Sequence, residues 1–74
     1  MGDRESIEQV LAGEADAFRK LIDRYCRAVR VRAVRALPVP GLADEAAHET
    51  FVRAYQRLGS FDLERNFQSW LFGI

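Results

Sequence analysis

The chain has 74 residues, room for one small domain, and a chain of this size buries only about 60% of its unfolded surface on folding. Its apolar fraction of 49% is that of a globular chain rather than a disordered one. Eleven Lys/Arg balance eleven Asp/Glu, so net charge selects no class of partner, and one Cys excludes both an internal disulfide and a Cys-rich metal site. No apolar run approaches the roughly 18 residues of a membrane span, and Met1 to Ser6 lack the basic-then-apolar layout of a signal peptide. A cytoplasmic protein with no membrane partner is the expectation.

The first predicted helix is short, about Ser6 to Ala12, with Ser6 and Gln9 at capping-box spacing and Gly13 as the stop. The second runs from about Asp16, a candidate N-cap, to Leu37. Phe18, Leu21, Ile22, Tyr25, Cys26 and Val29 recur at three- and four-residue steps and form its apolar stripe. Cys26 reads as a small buried hydrophobe on that stripe. Pro38-Val39-Pro40-Gly41 ends this helix, since Pro lacks the N–H and restricts the residue before it. The third is expected from about Asp44 to Leu58, with Ala47, Phe51, Ala54 and Leu58 inward, an acidic start suited to the helix dipole, and Gly59 as its stop. Gly59 to Arg65 is a loop, and a fourth helix opens near Asn66 and runs to Ile74. No sustained period-two run signals a strand. The expected fold is all-α: a small bundle of three helices plus a fourth, shorter one, forming a single domain over residues 1–74.

No enzyme signature is present. His48 has no second His or Cys at ligand spacing, and a metal site needs three or four ligands, so neither a metal nor a cofactor is expected. The third helix carries a second stripe, however. Glu45, His48, Glu49 and Val52, extended by Tyr55 or Gln56, fall at helical spacing away from the core set. This mixture of charge, imidazole and aliphatic reads either as an exposed helix face with no partner or as a surface suited to docking against another helix pair. Charge is also uneven along the chain: seven Lys/Arg stand against two Asp between Asp16 and Leu37, while Asp44 to Glu49 is acidic. Lys20, Arg24, Arg27 and Arg35 lie broadly on one side of the second helix, which reads either as a nucleic-acid footprint or as a solvated face.

Three segments carry a resemblance. Ala43-Asp44-Glu45-Ala46-Ala47-His48-Glu49-Thr50-Phe51 is followed by Phe61-Asp62-Leu63-Glu64-Arg65-Asn66-Phe67-Gln68-Ser69-Trp70-Leu71, and both are preceded by Gly13-Glu14-Ala15-Asp16-Ala17-Phe18. In this order and spacing the chain resembles region 2 of the extracytoplasmic-function sigma factors, specificity subunits of bacterial RNA polymerase. His48 stands where that family commonly has Gln, Thr50 where it has an apolar residue, and Asn66 where it often has Pro. The resemblance implies that the third helix grips the clamp helices of the polymerase β′ subunit, with Glu45, His48, Glu49 and Val52 as contacts. It implies that the loop before the fourth helix captures a flipped base of the promoter −10 element. Ser60, Asp62, Arg65 and Asn66 are then the polar candidates and Phe61 and Trp70 the stacking candidates, with Phe67 and Trp70 mainly core and Arg65 the best phosphate contact. An anti-sigma factor is a further partner that the resemblance allows.

The last residues, Trp70-Leu71-Phe72-Gly73-Ile74, read as the opening turns of a longer helix. The expectation is a chain truncated before the end of the −10-reading helix and lacking the separate −35-reading domain. Trp70, Leu71, Phe72 and Ile74 cannot all share one helix face, so an apolar patch and self-association are expected. The competing reading is a small helical interaction or dimerisation module without promoter function.

Overall fold

The structure, a computed structural model, describes residues 2–74, with Pro40 described through its backbone alone. Four α-helices follow one another: α1 (Asp3–Leu11), α2 (Phe18–Ala36), α3 (Pro40–Arg57) and α4 (Phe67–Phe72). Single 3-10 turns stand at Ala15–Ala17 and Leu58–Ser60. No strand occurs among the described residues, and the all-α expectation holds.

Several ends differ from the sequence reading. α1 starts at Asp3 rather than Ser6, because Asp3 and Glu5 suit the positive end of the helix dipole. Ser6 therefore lies inside the helix, 3% exposed, and forms no capping box. Gly13 does stop α1, with φ at 106°. The N–H of Glu14 reaches the Gln9 carbonyl and that of Gly13 reaches Val10, closing a Schellman motif that needs the left-handed residue. Asp16 is not an N-cap; it sits within the 3-10 turn that leads into α2. α3 opens at Pro40, four residues before the acidic start expected for it, because a Pro in the first helical turn forfeits no hydrogen bond. Asp44 and Glu45 consequently occupy its second turn. Gly59 lies in the second 3-10 turn without positive φ, so α3 ends by tightening rather than by a glycine reversal.

The core joins one face from each helix: Ile7 of α1, Phe18, Leu21 and Val29 of α2, Ala47, Phe51 and Ala54 of α3, and Phe67 and Leu71 of α4, with Leu58 and Phe61 between the last two helices. The four inward residues expected on the third helix are all buried. Cys26 is not: it is exposed. It lies about 60° around the helix from buried Val29, just past the stripe's edge.

Candidate functional site

Packing its Ala47, Phe51 and Ala54 face inward leaves α3 with an outer face. Glu45, His48 and Glu49 stand exposed there, and Val52 is half-buried between them. Gln56 continues the row and Tyr55 flanks it, its ring edge-on to Phe18 with centroids 5.2 Å apart. The predicted stripe thus forms one contiguous surface. Arg53, absent from the sequence reading, joins it: its Nε lies 3.0 Å from a Glu49 carboxylate oxygen. The signal is legible, since Glu followed by Arg four residues later is a favourable helical pair. Asp44 turns the other way and meets Arg30 of α2 at 2.9 Å.

The second candidate region is the segment from Ser60 to Trp70, which the structure divides. Ser60 donates its hydroxyl to the Arg57 carbonyl at 2.7 Å and belongs to the turn. Phe61 is 7% exposed, packed against Phe67 and Trp70 with centroids 5.5 and 5.1 Å away. Its expected place as a stacking surface does not fit this burial; the ring supports the loop from beneath. Asp62 shapes the loop, accepting the Glu64 N–H at 2.9 Å on its side chain and the Arg65 N–H at 2.9 Å on its carbonyl. The Arg65 side chain is 78% exposed and only loosely paired with Asp62 at 3.7 Å. Asn66 caps α4, its Oδ1 accepting the Ser69 N–H at 3.0 Å. Phe67 is buried, whereas Trp70 is half-buried. Of these candidates Ser60, Asp62, Arg65 and Asn66 are exposed and Trp70 is half-buried.

α1 also reaches this region, which the sequence does not signal. Arg4 lies 3.2 Å from Glu64 of the loop. Asp3 binds both Arg24 and the Tyr25 hydroxyl of α2. Burial, then the Asp3 hydrogen bond and charge, push the Tyr25 phenol from 10.0 up to about 12. Tyr25 in turn packs on Phe67, 5.4 Å between centroids. Of the basic stripe on α2, Arg24 is thus neutralised while Lys20, Arg27 and Arg35 remain exposed.

The C-terminal apolar residues are more covered than expected. Leu71 is fully buried, and Trp70, Phe72 and Ile74 pack against the core. The Arg32 guanidinium sits 4.9 Å over the Phe72 ring. The patch expected to drive self-association is reduced accordingly. Among the described residues no cluster of His, Cys, Asp and Glu could hold a metal ion, and no helix is long and apolar enough to cross a membrane.

The Sigma-70 region 2 family matches residues 21–74, which include α3, the loop and α4. The chain is 37% identical over 71 residues to the ECF RNA polymerase sigma factor SigW of Bacillus subtilis, covering 96% of this chain and 38% of that protein. It is 38% identical over 71 residues to the ECF RNA polymerase sigma factor BldN of Streptomyces coelicolor, covering 95% of this chain and 27% of that one. It is 36% identical over 73 residues to the RNA polymerase sigma factor CnrH of Cupriavidus metallidurans, at 97% and 38% coverage. The chain thus spans well under half the length of these relatives. Nothing in these likenesses favours the alternative of a dimerisation module.

Proposed function

Because the chain belongs to the sigma-70 region 2 family, in its extracytoplasmic-function branch, we propose that it serves transcription initiation by bacterial RNA polymerase, with α3 docking on the clamp helices of the β′ subunit. The observation that carries this reading is the outer face of α3. Glu45, His48 and Glu49 stand exposed around half-buried Val52 on a helix whose opposite side is locked in the core. A rigid helix presenting fixed charges around a small apolar centre loses little entropy on meeting a second pair of helices. In the same reading, Arg65, Asn66 and Trp70 meet the promoter −10 element, Arg65 through phosphate and half-buried Trp70 by stacking. Ser60, Asp62 and Phe61 hold the loop's shape for them. The cytoplasm is the proposed place of action. An anti-sigma factor is included as a regulator, acting by covering the α3 face.

Calorimetric titration with a β′ clamp-helix fragment tests the docking face. Glu49→Arg should weaken binding by at least about tenfold, because losing one member of a charged interface pair typically costs about 2 kcal/mol or more. The substitution also breaks the exposed Glu49–Arg53 pair, a loss of only about 0.5 kcal/mol within a helix, so helicity by circular dichroism should persist. Equal affinity for wild type and variant would remove α3 from the interface.

A further inference from the structure

Six large apolar side chains are exposed among the described residues, and five of them, Val31, Val34, Val39, Leu42 and Tyr55, lie on α2, α3 and their link. None belongs to α4. On α2, Arg27, Val31 and Val34 follow at steps of four and three, on the side opposite buried Leu21 and Val29. With Cys26, Arg30 and Arg35 they line one open depression of about 450 Å³. On α3, Leu42, Glu45 and Glu49 follow at steps of three and four, the reverse order, opposite buried Ala47 and Ala54. The two helices run antiparallel, since Phe18 meets Tyr55 towards one end and Arg30 meets Asp44 towards the other. Arg24 and Arg30 of α2 have carboxylate partners, whereas Arg19, Arg27, Arg32 and Arg35 have none among the described residues. Glu45 has no cationic partner there either, and Glu49 has only Arg53 of its own helix.

We propose that this surface docks a second copy of the chain, α2 of each copy lying on α3 of the other about a two-fold axis. An axis along the seam between α2 and α3 lays the two helices antiparallel, at the level they hold within one molecule. Because Arg30 and Asp44 share that level, Arg27 falls opposite Glu49 and Val34 opposite Leu42, to within a turn. Glu45 comes between them, beside Val31. Unlike charges meet at one end of the contact and apolar side chains at the other. Two-fold symmetry repeats each contact, so a small patch becomes an interface, and the closed pair leaves no patch for a third copy. A net charge of zero removes repulsion between copies. A nucleic acid drawn to Arg27 meets the adjoining carboxylates of Glu45 and Glu49, whereas a second copy matches both signs. The pair covers Glu45 and Glu49 and so holds α3 away from the clamp helices until the copies part. That consequence rests on the docking reading above; the pairing itself does not.

Sedimentation equilibrium from about 10 µM to about 1 mM, the range of a weak transient interface, should show wild type passing from monomer to dimer. R27E and E49R each set like charges against each other at both copies of the contact, and each should weaken association by about tenfold or more. An equimolar mixture of R27E and E49R should recover it, because in the mixed pair both contacts again join opposite signs. Misfolding of either variant cannot produce that recovery. V34S, at an exposed side chain, should weaken association by about threefold or more through lost apolar contact. Dilute R27E should bind the β′ clamp-helix fragment as dilute wild type does. A wild type that stays monomeric, growth past the dimer, undiminished association of R27E, or a mixture no tighter than its parts would each overturn the pairing and leave the docking of α3 standing. Loss of clamp binding in R27E would overturn it too, by assigning the α2 patch to the polymerase. Failure of dilute wild type to bind the clamp helices would instead count against the parent reading.

Discussion

At the scale of single residues, Asn66 and Tyr25 are each fixed by one specific side-chain hydrogen bond. Asn66 is a DNA candidate whose Oδ1 is committed to capping α4, so Asn66→Ala should cost about 0.5–2 kcal/mol of stability in urea unfolding, and Asn66→Ser much less. A loss of DNA binding in both variants would then report contact, whereas a loss in the alanine variant alone would report the cap. Tyr25 keeps its proton to about 12 in the folded chain against an ordinary 10.0. Folding therefore favours the neutral phenol. That contribution is complete below the ordinary value, declines as pH rises from it towards the folded-state value, and is gone above. Thermal midpoints followed across this alkaline window should fall more steeply for wild type than for Tyr25→Phe, and parallel curves would deny the shift. The Asp3–Tyr25 bond joins residues 22 positions apart and cannot be read from a sequence whose local patterns reach only one or two turns. The same holds for Arg32 over Phe72.

Among the elements, α3 is the most legible, because Ala47, Phe51, Ala54 and Leu58 repeat at helical period and the polar stripe is what remains. Its start is less so: the acidic pair at Asp44 and Glu45 looks like a helix opening, but Pro40 is equally at home in a first turn and adds a turn. Cys26 falls to the core in sequence since a three-or-four-residue pattern defines a stripe's centre better than its edges, and only packing against α3 and α4 decides the margin. The loop's irregular backbone is legible. The place of Phe61 is not, because an aromatic next to polar loop residues looks the same in sequence whether it points out or in. α4 has six residues, too few to stand without tertiary contacts, and fully buried Leu71 supplies them. Leu71→Ala should cost about 2–5 kcal/mol, lowering the thermal midpoint by about 10 °C or more for a domain of this size. Leu11→Ala, at a side chain 49% exposed, should shift it by little, and comparable losses would mean that α4 is not anchored as described.

For the molecule as a whole, a formal net charge of zero conceals a separation of sign: free arginines on α2 and a carboxylate-bearing face on α3. Long-range attraction to DNA should therefore be weak, and α4 alone exposes few groups that could read bases. A gel shift at physiological salt should show no preference for a −10 sequence over a scrambled one; a shift abolished by changing the −10 bases would contradict this. The most direct test of the central claim, docking through α3, is NMR chemical-shift mapping of the labelled chain during titration with a β′ clamp-helix fragment. Perturbations concentrated at Glu45, His48, Glu49, Val52 and Arg53 are the predicted result; perturbations centred on α1 or on the arginines of α2, with the α3 face silent, would contradict it.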